Sequence, residues 1–370
     1  MKTLENVAVL GGGAGARAVA ADLSLQGCRV RMWDLPRFFP SLRPLQKDRA
    51  FNVTGVVADR ATLDLVTDDL ALACADAQAI FVVTQALAHA EIARGLAPVV
   101  CENQVIAVNP GSTGGALEFA YILRESGAVV PTIGETSTLT HACRLTQDAG
   151  VVIRMRVGLV KIAALLPSAT SAVRGLLKPF FAGLEAAHNV LETMLSNGNP
   201  VIHPAIMLLN AGTVERSQGT WEFYEEGVTP AVAAVIEAVD RERLALGRAL
   251  GLELLPEPEM SRRQGYSEHS DYLRAYRDGP EFQGLGGPDT MQHRYLTEDV
   301  SCALVTFLEL AEVCGVAMPV TGSIVQLASA VLGRDLPAEA RRGLQALGLG
   351  GMNREQILSY VQEGRRGRCG

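Results

Sequence analysis

The sequence predicts two domains, an α/β domain with a doubly wound sheet over residues 1–186 and an all-α domain over residues 187–370. A chain of 370 residues is too long for one ordinary domain and fits two. Short apolar runs alternate with helical patterns through the first half, which is typical of βαβ units. Beyond residue 186 this alternation stops, and apolar residues recur with the period of a helix.

The first element is a strand, turn and helix in NVAVLGGGAGARAVAADL. The apolar run Val7–Leu10 predicts a buried strand, and Ala16–Leu25 predicts a helix. The turn between them has the form G-x-G-x-x-G/A, which places the pyrophosphate of a dinucleotide at a helix N-terminus. This order predicts a Rossmann-type domain. The residues expected to contact the cofactor here are Gly11, Gly13, Ala14 and Ala16.

A second predicted strand, Arg29–Trp33, ends in Asp34. An acidic residue about 20 residues beyond the glycines is expected to hold the hydroxyls of the adenosine ribose. Because its charge repels a 2′-phosphate, the predicted cofactor is NAD. Arg37 lies close enough in sequence to leave NADP open.

More strands and helices follow in the first half. Ala79–Ala93 and Gln104–Leu123 each predict a strand leading into a helix, and Thr132–Leu145 predicts a strand followed by a polar loop. VVIRMRVG and LVKIAALLP predict a hairpin-like extension that closes the domain. Loops that follow parallel strands open at the carboxyl edge of the sheet, where ligands of such folds bind. The candidates at this edge are Thr84, Asn109, Pro110, Gly111 and Glu135.

Composition excludes several classes of function. The net charge is −7 with the basic residues scattered, so no nucleic-acid surface is expected. The seven cysteines are widely spaced and form no C-x-x-C pair, which favours reduced thiols over disulfides or a metal site. Neither a signal peptide nor a membrane span is expected, because the apolar runs are short or interrupted. The predicted location is the cytoplasm. Small molecules are the predicted partners, and formation of a homodimer is left open.

The apolar pattern of the second half predicts long helices. We expect this helical domain to carry the catalytic group. Lysine is absent beyond Lys178, so a catalytic lysine in the helical domain is excluded. Histidines remain as candidates for proton transfer near neutral pH. The helices are predicted at Pro204–Thr213, Pro230–Leu250, Val300–Cys314 and Gly322–Leu332.

His203 is the histidine with the most informative surroundings, SNGNPVIHPAIMLLNAG. Pro204 is tolerated in the first turn of a helix, which predicts that His203 lies at a helix N-terminus. The helix dipole there disfavours the imidazolium, so an acidic partner is expected. Asp299 is a candidate, in a first helical turn behind a predicted Thr297 cap.

The segments N-x-N-x-x-x-H-P and R-Y-x-T-E-D, with ETSTLTHACRL and the glycine turn, carry a resemblance over nearly the whole chain. The sequence resembles the opine dehydrogenases, the octopine/nopaline dehydrogenase family. The resemblance implies an NAD(P)-dependent condensation of an amino acid with a 2-keto acid such as pyruvate, followed by reduction of the imine. It also implies a catalytic pair formed by His203 and Asp299, and an Arg294 that binds a substrate carboxylate.

The amino-acid side of the site is predicted with less support from the motifs. Candidates for shaping it are Glu135, Asn197, Asn199 and Trp221. The segment from Pro256 to Thr290 is predicted to be a long, polar, glycine-rich loop that closes over the site. Two alternatives stay open. One is an NAD-dependent 2-hydroxy-acid dehydrogenase of the same architecture, against which the missing lysine counts. The other is an NAD-binding protein without catalysis.

Overall fold

The computed structural model describes residues 4–339 and 341–363. It divides into two compact units by contact. Among the described residues, one unit runs to Thr193 and includes Val361–Glu363, and the other runs from Met194 to Tyr360. The first is α/β and the second is helical, so the predicted fold class is confirmed. The boundary predicted after residue 186 stays a prediction.

The first unit is built on an eight-stranded sheet in the order β12-β11-β8-β7-β6-β1-β2-β5. All neighbouring strands are parallel except β8 and β11, which are antiparallel. The order from β5 to β8 is that of a doubly wound dinucleotide-binding sheet, with its switch point between β1 and β6. The strands are β1 (Asn6–Leu10), β2 (Arg29–Trp33), β5 (Leu65–Thr67), β6 (Ala79–Val82), β7 (Val105–Val108), β8 (Thr132–Thr136), β11 (Val160–Ala164) and β12 (Leu184–Ala186).

The central strands are almost wholly apolar because helices cover both faces of a parallel sheet. All four residues of β6 are buried, as are Val7–Leu10 of β1. The helices of this part of the chain are α1 (Ala14–Leu25), α2 (Arg43–Asp48), α3 (Leu70–Cys74), α4 (Ala86–Leu96), α5 (Gly115–Glu125), α6 (Thr170–Leu177) and α7 (Val190–Leu195), with 3-10 turns at Phe39–Ser41 and Pro167–Ala169.

A second, four-stranded sheet in the order β4-β3-β10-β9 is not predicted from the sequence. Two predictions were wrong here. The polar loop predicted after β8 contains a strand, and the two segments predicted as a hairpin pair in different sheets, β10 in this one and β11 in the large one. The strands are β3 (Ala50–Gly55), β4 (Asp59–Thr62), β9 (His141–Leu145) and β10 (Val151–Arg156).

A buried ionic cluster explains why the polar β9 is a strand. Asp22 of α1 accepts hydrogen bonds from Arg156 of β10 at 2.6 and 2.8 Å. The His141 ring of β9 lies 2.8 Å from the same carboxylate. His141 of β9 and Arg156 of β10 therefore both find their partner on α1.

The second unit is helical, with a single isolated bridge between Glu222 and Gly286 in its described part. Its helices are α8 (Asn199–Leu209), α9 (Ala211–Ser217), α10 (Pro230–Ala249), α11 (Glu257–Gln264), α12 (Arg274–Arg277), α13 (Arg294–Thr297), α14 (Val305–Cys314), α15 (Pro319–Leu332), α16 (Leu336–Glu339) and α17 (Arg354–Glu363), the last of which continues into the first unit. A 3-10 turn lies at Pro280–Phe282 and a π-helix at Val300–Leu304.

The segment from Pro256 to Thr290 is not an open polar loop. It carries α11 and α12, and its Tyr276 and Phe282 side chains are buried in the unit. The sequence prediction missed this because the apolar residues are too few and too widely spaced to give a helical period. That this segment closes over the site stays a prediction.

The ionic cluster around Asp22 gives a stability prediction. Its hydrogen bonds lower the pKa of Asp22 from its ordinary 3.8 to about 2, against the opposing effect of burial. A lowered folded-state pKa means that the stabilisation is present above about pH 4 and is lost as the pH falls toward 2. Asp22→Asn should lower the free energy of unfolding by about 2–3 kcal/mol at pH 7.

Urea unfolding of both proteins at pH 7 and pH 3 measures this difference, which should shrink at pH 3. Asp64→Asn is the control, because Asp64 pairs with Arg31 at an exposed position and should change stability by less than about 1 kcal/mol. A difference for Asp22→Asn that is equal at the two pH values would show that its charge does not matter.

Candidate active site

The glycine turn of the first unit has the geometry that a pyrophosphate requires. Gly11 has φ +129°, and a Cβ on it would lie 2.4 Å from the carbonyl oxygen of Val83. Gly13 is the N-cap residue of α1, and no side chain caps this helix end. A Cβ built on Gly13 would meet no atom within 4 Å. The helix starts at Ala14, two residues earlier than predicted, and the N–H groups of its first turn have no partner within the helix.

Thr84 lies beside this turn at the carboxyl end of β6, its methyl 3.2 Å from a Cβ built on Gly11. Its hydroxyl oxygen is buried and makes no hydrogen bond within the described part of the chain. A buried hydroxyl without a partner is costly unless a ligand satisfies it. The uncapped helix, the open space at Gly13 and this hydroxyl together fit a dinucleotide.

Asp34 follows β2 and is 7% exposed. Its carboxylate accepts a hydrogen bond from the N–H of Leu35 at 2.8 Å. Burial raises the pKa of Asp34, and the N–H groups of Leu35 and Gly12 oppose that rise. The carboxylate is thus fixed beside the glycine turn, where an adenosine ribose binds in this fold.

Asn109 and Glu135, both predicted at the ligand edge, are buried and engaged with their own unit. Asn109 donates to the Thr140 hydroxyl at 2.9 Å and precedes a cis peptide bond to Pro110. Glu135 accepts from the N–H of Ala116 at 2.8 Å, in the first turn of α5. Both residues therefore help to shape the carboxyl edge of the sheet. Direct contact of Asn109 or Glu135 with a ligand stays a prediction.

The central feature of the second unit is a contact between His203 and Asp299. The Nδ1 of His203 lies 2.7 Å from a carboxylate oxygen of Asp299. The two residues are 5% and 6% exposed. Because a carboxylate only accepts, Nδ1 carries the proton and the neutral ring presents an unprotonated Nε2.

The helix that carries His203 begins earlier than predicted. α8 starts at Asn199, with Pro200 in the first turn, so His203 is inside the helix rather than at its N-terminus. Pro204 is also internal, and it has no N–H to donate to the carbonyl of Pro200. The prediction was wrong because the pattern offers two prolines and only the first occupies the tolerated position.

Asp299 lies between two helices of different kinds. It is the N-cap of the π-helix Val300–Leu304, and its carbonyl accepts from the N–H of Leu304 at 3.1 Å. Thr297 is the last residue of α13 rather than a cap for the next helix. Such π-turns occur often at functional sites, where they change the direction of a side chain.

Burial is the largest influence on His203 and lowers its pKa. Asp299 opposes this shift through its hydrogen bond and charge, whereas the positive charge of Arg294 adds to it. His203 is therefore neutral at pH 7 and can accept a proton. A proton gained at Nε2 would be stabilised by Asp299.

Two tyrosines complete the surroundings of His203, and neither was predicted. The hydroxyl of Tyr224 lies 3.0 Å from Nε2, and the ring of Tyr295 stacks on the imidazole at a centroid distance of 3.8 Å. Tyr224 stays protonated, since burial raises its pKa, and it donates to Nε2. The only signal for Tyr295 was its place in the R-Y-x-T-E-D segment.

Arg294, the predicted carboxylate-binding residue, is the first residue of α13. Its side chain is 40% exposed, and its Nε lies 3.9 Å from Glu298. Its terminal Nη groups make no hydrogen bond to other residues in the described part of the chain. An arginine presented in this way can bind a carboxylate with two parallel hydrogen bonds.

The remaining predicted residues lie nearby in the chain without direct evidence of a ligand role. Asn199 is the first residue of α8, and its N–H donates to the side chain of Asn197 at 3.3 Å. Trp221 is buried, and its Nε1 donates to the carbonyl of Pro288 at 3.0 Å. No group of His, Cys, Asp and Glu in residues 4–339 and 341–363 is placed to hold a metal ion. Every helix in those ranges is too short or too polar to span a bilayer.

Residues 186–332 match the family model for the α-helical domain of NAD/NADP octopine/nopaline dehydrogenases. The chain is 37% identical to the opine dehydrogenase of Arthrobacter sp. (strain 1C), covering 96% of this chain and 98% of that protein. It is 31% identical to the protein ocs of Agrobacterium tumefaciens (strain Ach5), with the same coverage of each chain.

Two solved structures share the fold. One is an octopine dehydrogenase with NADH and L-arginine, at a TM-score of 0.78, 20% identity and coverage of 98% of this chain and 99% of that one. The other is a yersinopine dehydrogenase with NADP+, at a TM-score of 0.75, 18% identity and coverage of 97% and 98%.

The geometry of the pair predicts how activity depends on pH. Activity that needs neutral His203 falls as the pH drops through the pKa of His203. Because Asp299 raises that pKa, Asp299→Asn should move the acid limb of kcat/KM to lower pH. It should also lower kcat about 100-fold, since Nδ1 loses the acceptor that fixes the tautomer.

The measurement is kcat/KM between pH 5 and pH 9. Glu312→Gln, which changes an exposed carboxylate on α14, is the control and should leave the profile unchanged. An acid limb that stays in place in Asp299→Asn would show that Asp299 does not act on the titrating group.

Proposed function

We propose that this chain, which belongs to the octopine/nopaline dehydrogenase family, uses His203 and Asp299 to condense an amino acid with a 2-keto acid. It is an NAD(P)-dependent opine dehydrogenase, and the product is an N-(carboxyalkyl) amino acid, with oxidative cleavage as the reverse reaction. The observation that supports these roles is the buried 2.7 Å contact between His203 and Asp299. Arg294 lies near Asp299 in the sequence.

His203 acts first as a base. The ammonium group of the amino acid must lose a proton before its nitrogen can attack the carbonyl carbon, and the lone pair of Nε2 accepts that proton. The resulting imidazolium is stabilised by the carboxylate of Asp299. The lowered pKa of His203 favours release of the same proton in the next step.

His203 acts next as an acid. The attacking nitrogen passes a second proton to the carbonyl oxygen, which becomes the hydroxyl of a neutral carbinolamine. Nε2 then returns the first proton as this hydroxyl leaves as water, which leaves the protonated imine. One residue thus takes and gives the same proton, so the ring ends the condensation neutral. A reduced dinucleotide, which the glycine turn and Asp34 would hold, would supply the hydride that reduces the imine carbon.

Tyr224 contacts the nitrogen of His203 that transfers the proton. Its phenol donates to the nitrogen that must accept the proton, so the hydrogen bond has to be exchanged for one with the amino group. Tyr295, stacked on the ring, keeps the imidazole in its plane during that exchange.

Arg294 fixes the keto acid. A guanidinium that holds the carboxylate by two hydrogen bonds leaves the adjacent carbonyl carbon in a defined place. The turn of Gly11, Gly13, Ala14 and Ala16, with Asp34 and Thr84, would hold the dinucleotide in the first unit. The cysteines in the described residues are free thiols, which supports a cytoplasmic location.

The experiment that tests this function is oxidation of NADH with pyruvate and a panel of amino acids, with products identified by mass. An amino-acid-dependent rate and a product of the condensed, reduced mass would support it. A rate with pyruvate alone would favour a hydroxy-acid dehydrogenase instead. Binding of NADH with no turnover on a broad panel of keto acids would favour a non-catalytic protein.

Replacement of the base gives a sharper prediction. His203→Ala should lower kcat about 100-fold or more, because proton transfer contributes that much, while NADH binding is retained. The measurements are steady-state kcat and the Kd of NADH by calorimetry. His188→Ala, at an exposed position, is the control. Full turnover in His203→Ala would overturn the assignment.

The predicted role of Arg294 can be tested through the KM of the keto acid. Arg294→Ala should raise that KM about 10- to 100-fold, the value of a charge-assisted hydrogen bond, and change the KM of NADH little. Arg294→Lys should lie between, since lysine keeps the charge but loses the planar fork. Arg241→Ala, an exposed change on α10, is the control. A loss confined to cofactor affinity would show that Arg294 was misplaced.

A further inference from the structure

The choice between NAD(H) and NADP(H) depends on residues around the adenosine ribose. The fold itself does not decide it, since it holds NADH in one protein and NADP+ in another. In this chain Asp34 has a fixed carboxylate at the end of β2. The 2′-position of the cofactor is therefore set against a negative charge.

Arg37 is the cation that could reverse that preference. It follows Asp34 in the turn after β2, and the charge of Asp34 acts on it. Its guanidinium lies 4.9 Å from the centre of the neighbouring Phe38 ring. A planar guanidinium is the group best suited to bind a phosphate with two hydrogen bonds.

Arg37 is already engaged by a carboxylate from another element. Its Nη1 and Nη2 lie 2.7 and 2.5 Å from the two oxygens of Glu91, on α4. The pair is bidentate, so the fork that would bind a phosphate is filled.

We propose that Glu91 is a cofactor-specificity residue, which favours NAD(H) by holding Arg37 away from the 2′-phosphate of NADP(H). The inference rests on the proposed function, since it assumes that the glycine turn and Asp34 hold the dinucleotide. Arg37 and Glu91 are 52% and 47% exposed, so water and salt weaken their attraction. Glu91 therefore biases the choice rather than blocking NADP(H).

The test is the Kd of NADH and of NADPH, measured by calorimetry without substrates, for the unmodified protein, Glu91→Ala and the double variant Glu91→Ala/Arg37→Ala. Glu91→Ala should tighten NADPH binding about 5-fold, the scale of an exposed charge pair, and change NADH binding less than about 2-fold. The double variant should lose the gain, because the freed Arg37 is its source.

Glu237→Ala is the matched control. Glu237 forms an exposed pair with Arg241 on α10, in the other unit, and its removal should change neither Kd. An unchanged ratio of the two Kd values in Glu91→Ala would overturn the inference, as would a gain that persists in the double variant. Failure of the unmodified protein to bind NADH would overturn the proposed function as well, so the two failures are distinguishable.

Discussion

The hydrogen bond between His203 and Asp299 is the constraint on which the described chemistry depends. An imidazole that is 5% exposed would lose much of its basicity to burial if it had no acidic partner. Asp299 partly restores it and fixes the tautomer, so that one ring nitrogen stays available for proton transfer. The π-turn after Asp299 and the internal Pro204 of α8 are the local irregularities that accompany this contact.

A second buried network fixes the start of the helix that carries His203. Arg243 donates to the carbonyl of Leu195 at 2.5 Å and to Asp240 at 2.7 Å. Asp240 in turn accepts from the N–H of Glu257, and the Glu257 side chain packs so closely on Gly198 that a Cβ there would lie 2.4 Å from it. The position of His203 is thus held from α10 and α11 as well as by Asp299.

Features that depend on short sequence patterns could be predicted, and those that depend on tertiary partners could not. The glycine turn and Asp34 follow from a local βαβ pattern, so they were predicted nearly at the observed positions. His203 and Asp299 are 96 residues apart, so the sequence pattern offered Asp299 only as a candidate partner, and the resemblance to a family implied the pair before the structure brought the two side chains together. Tyr224 was missed because its bond to His203 exists only after the helices pack. The strand at His141 was missed because Asp22, far away in sequence, satisfies its polar side chain.

The central claim is that His203 is a neutral base with its proton on Nδ1. Nitrogen NMR of the protein labelled with ¹⁵N-histidine, with the signals assigned by comparison with His203→Ala, measures this state directly. The account predicts a protonated Nδ1 and an unprotonated Nε2 at pH 7, with the ring gaining its second proton only below the ordinary histidine pKa. An imidazolium at pH 7, or a proton on Nε2 alone, would contradict it.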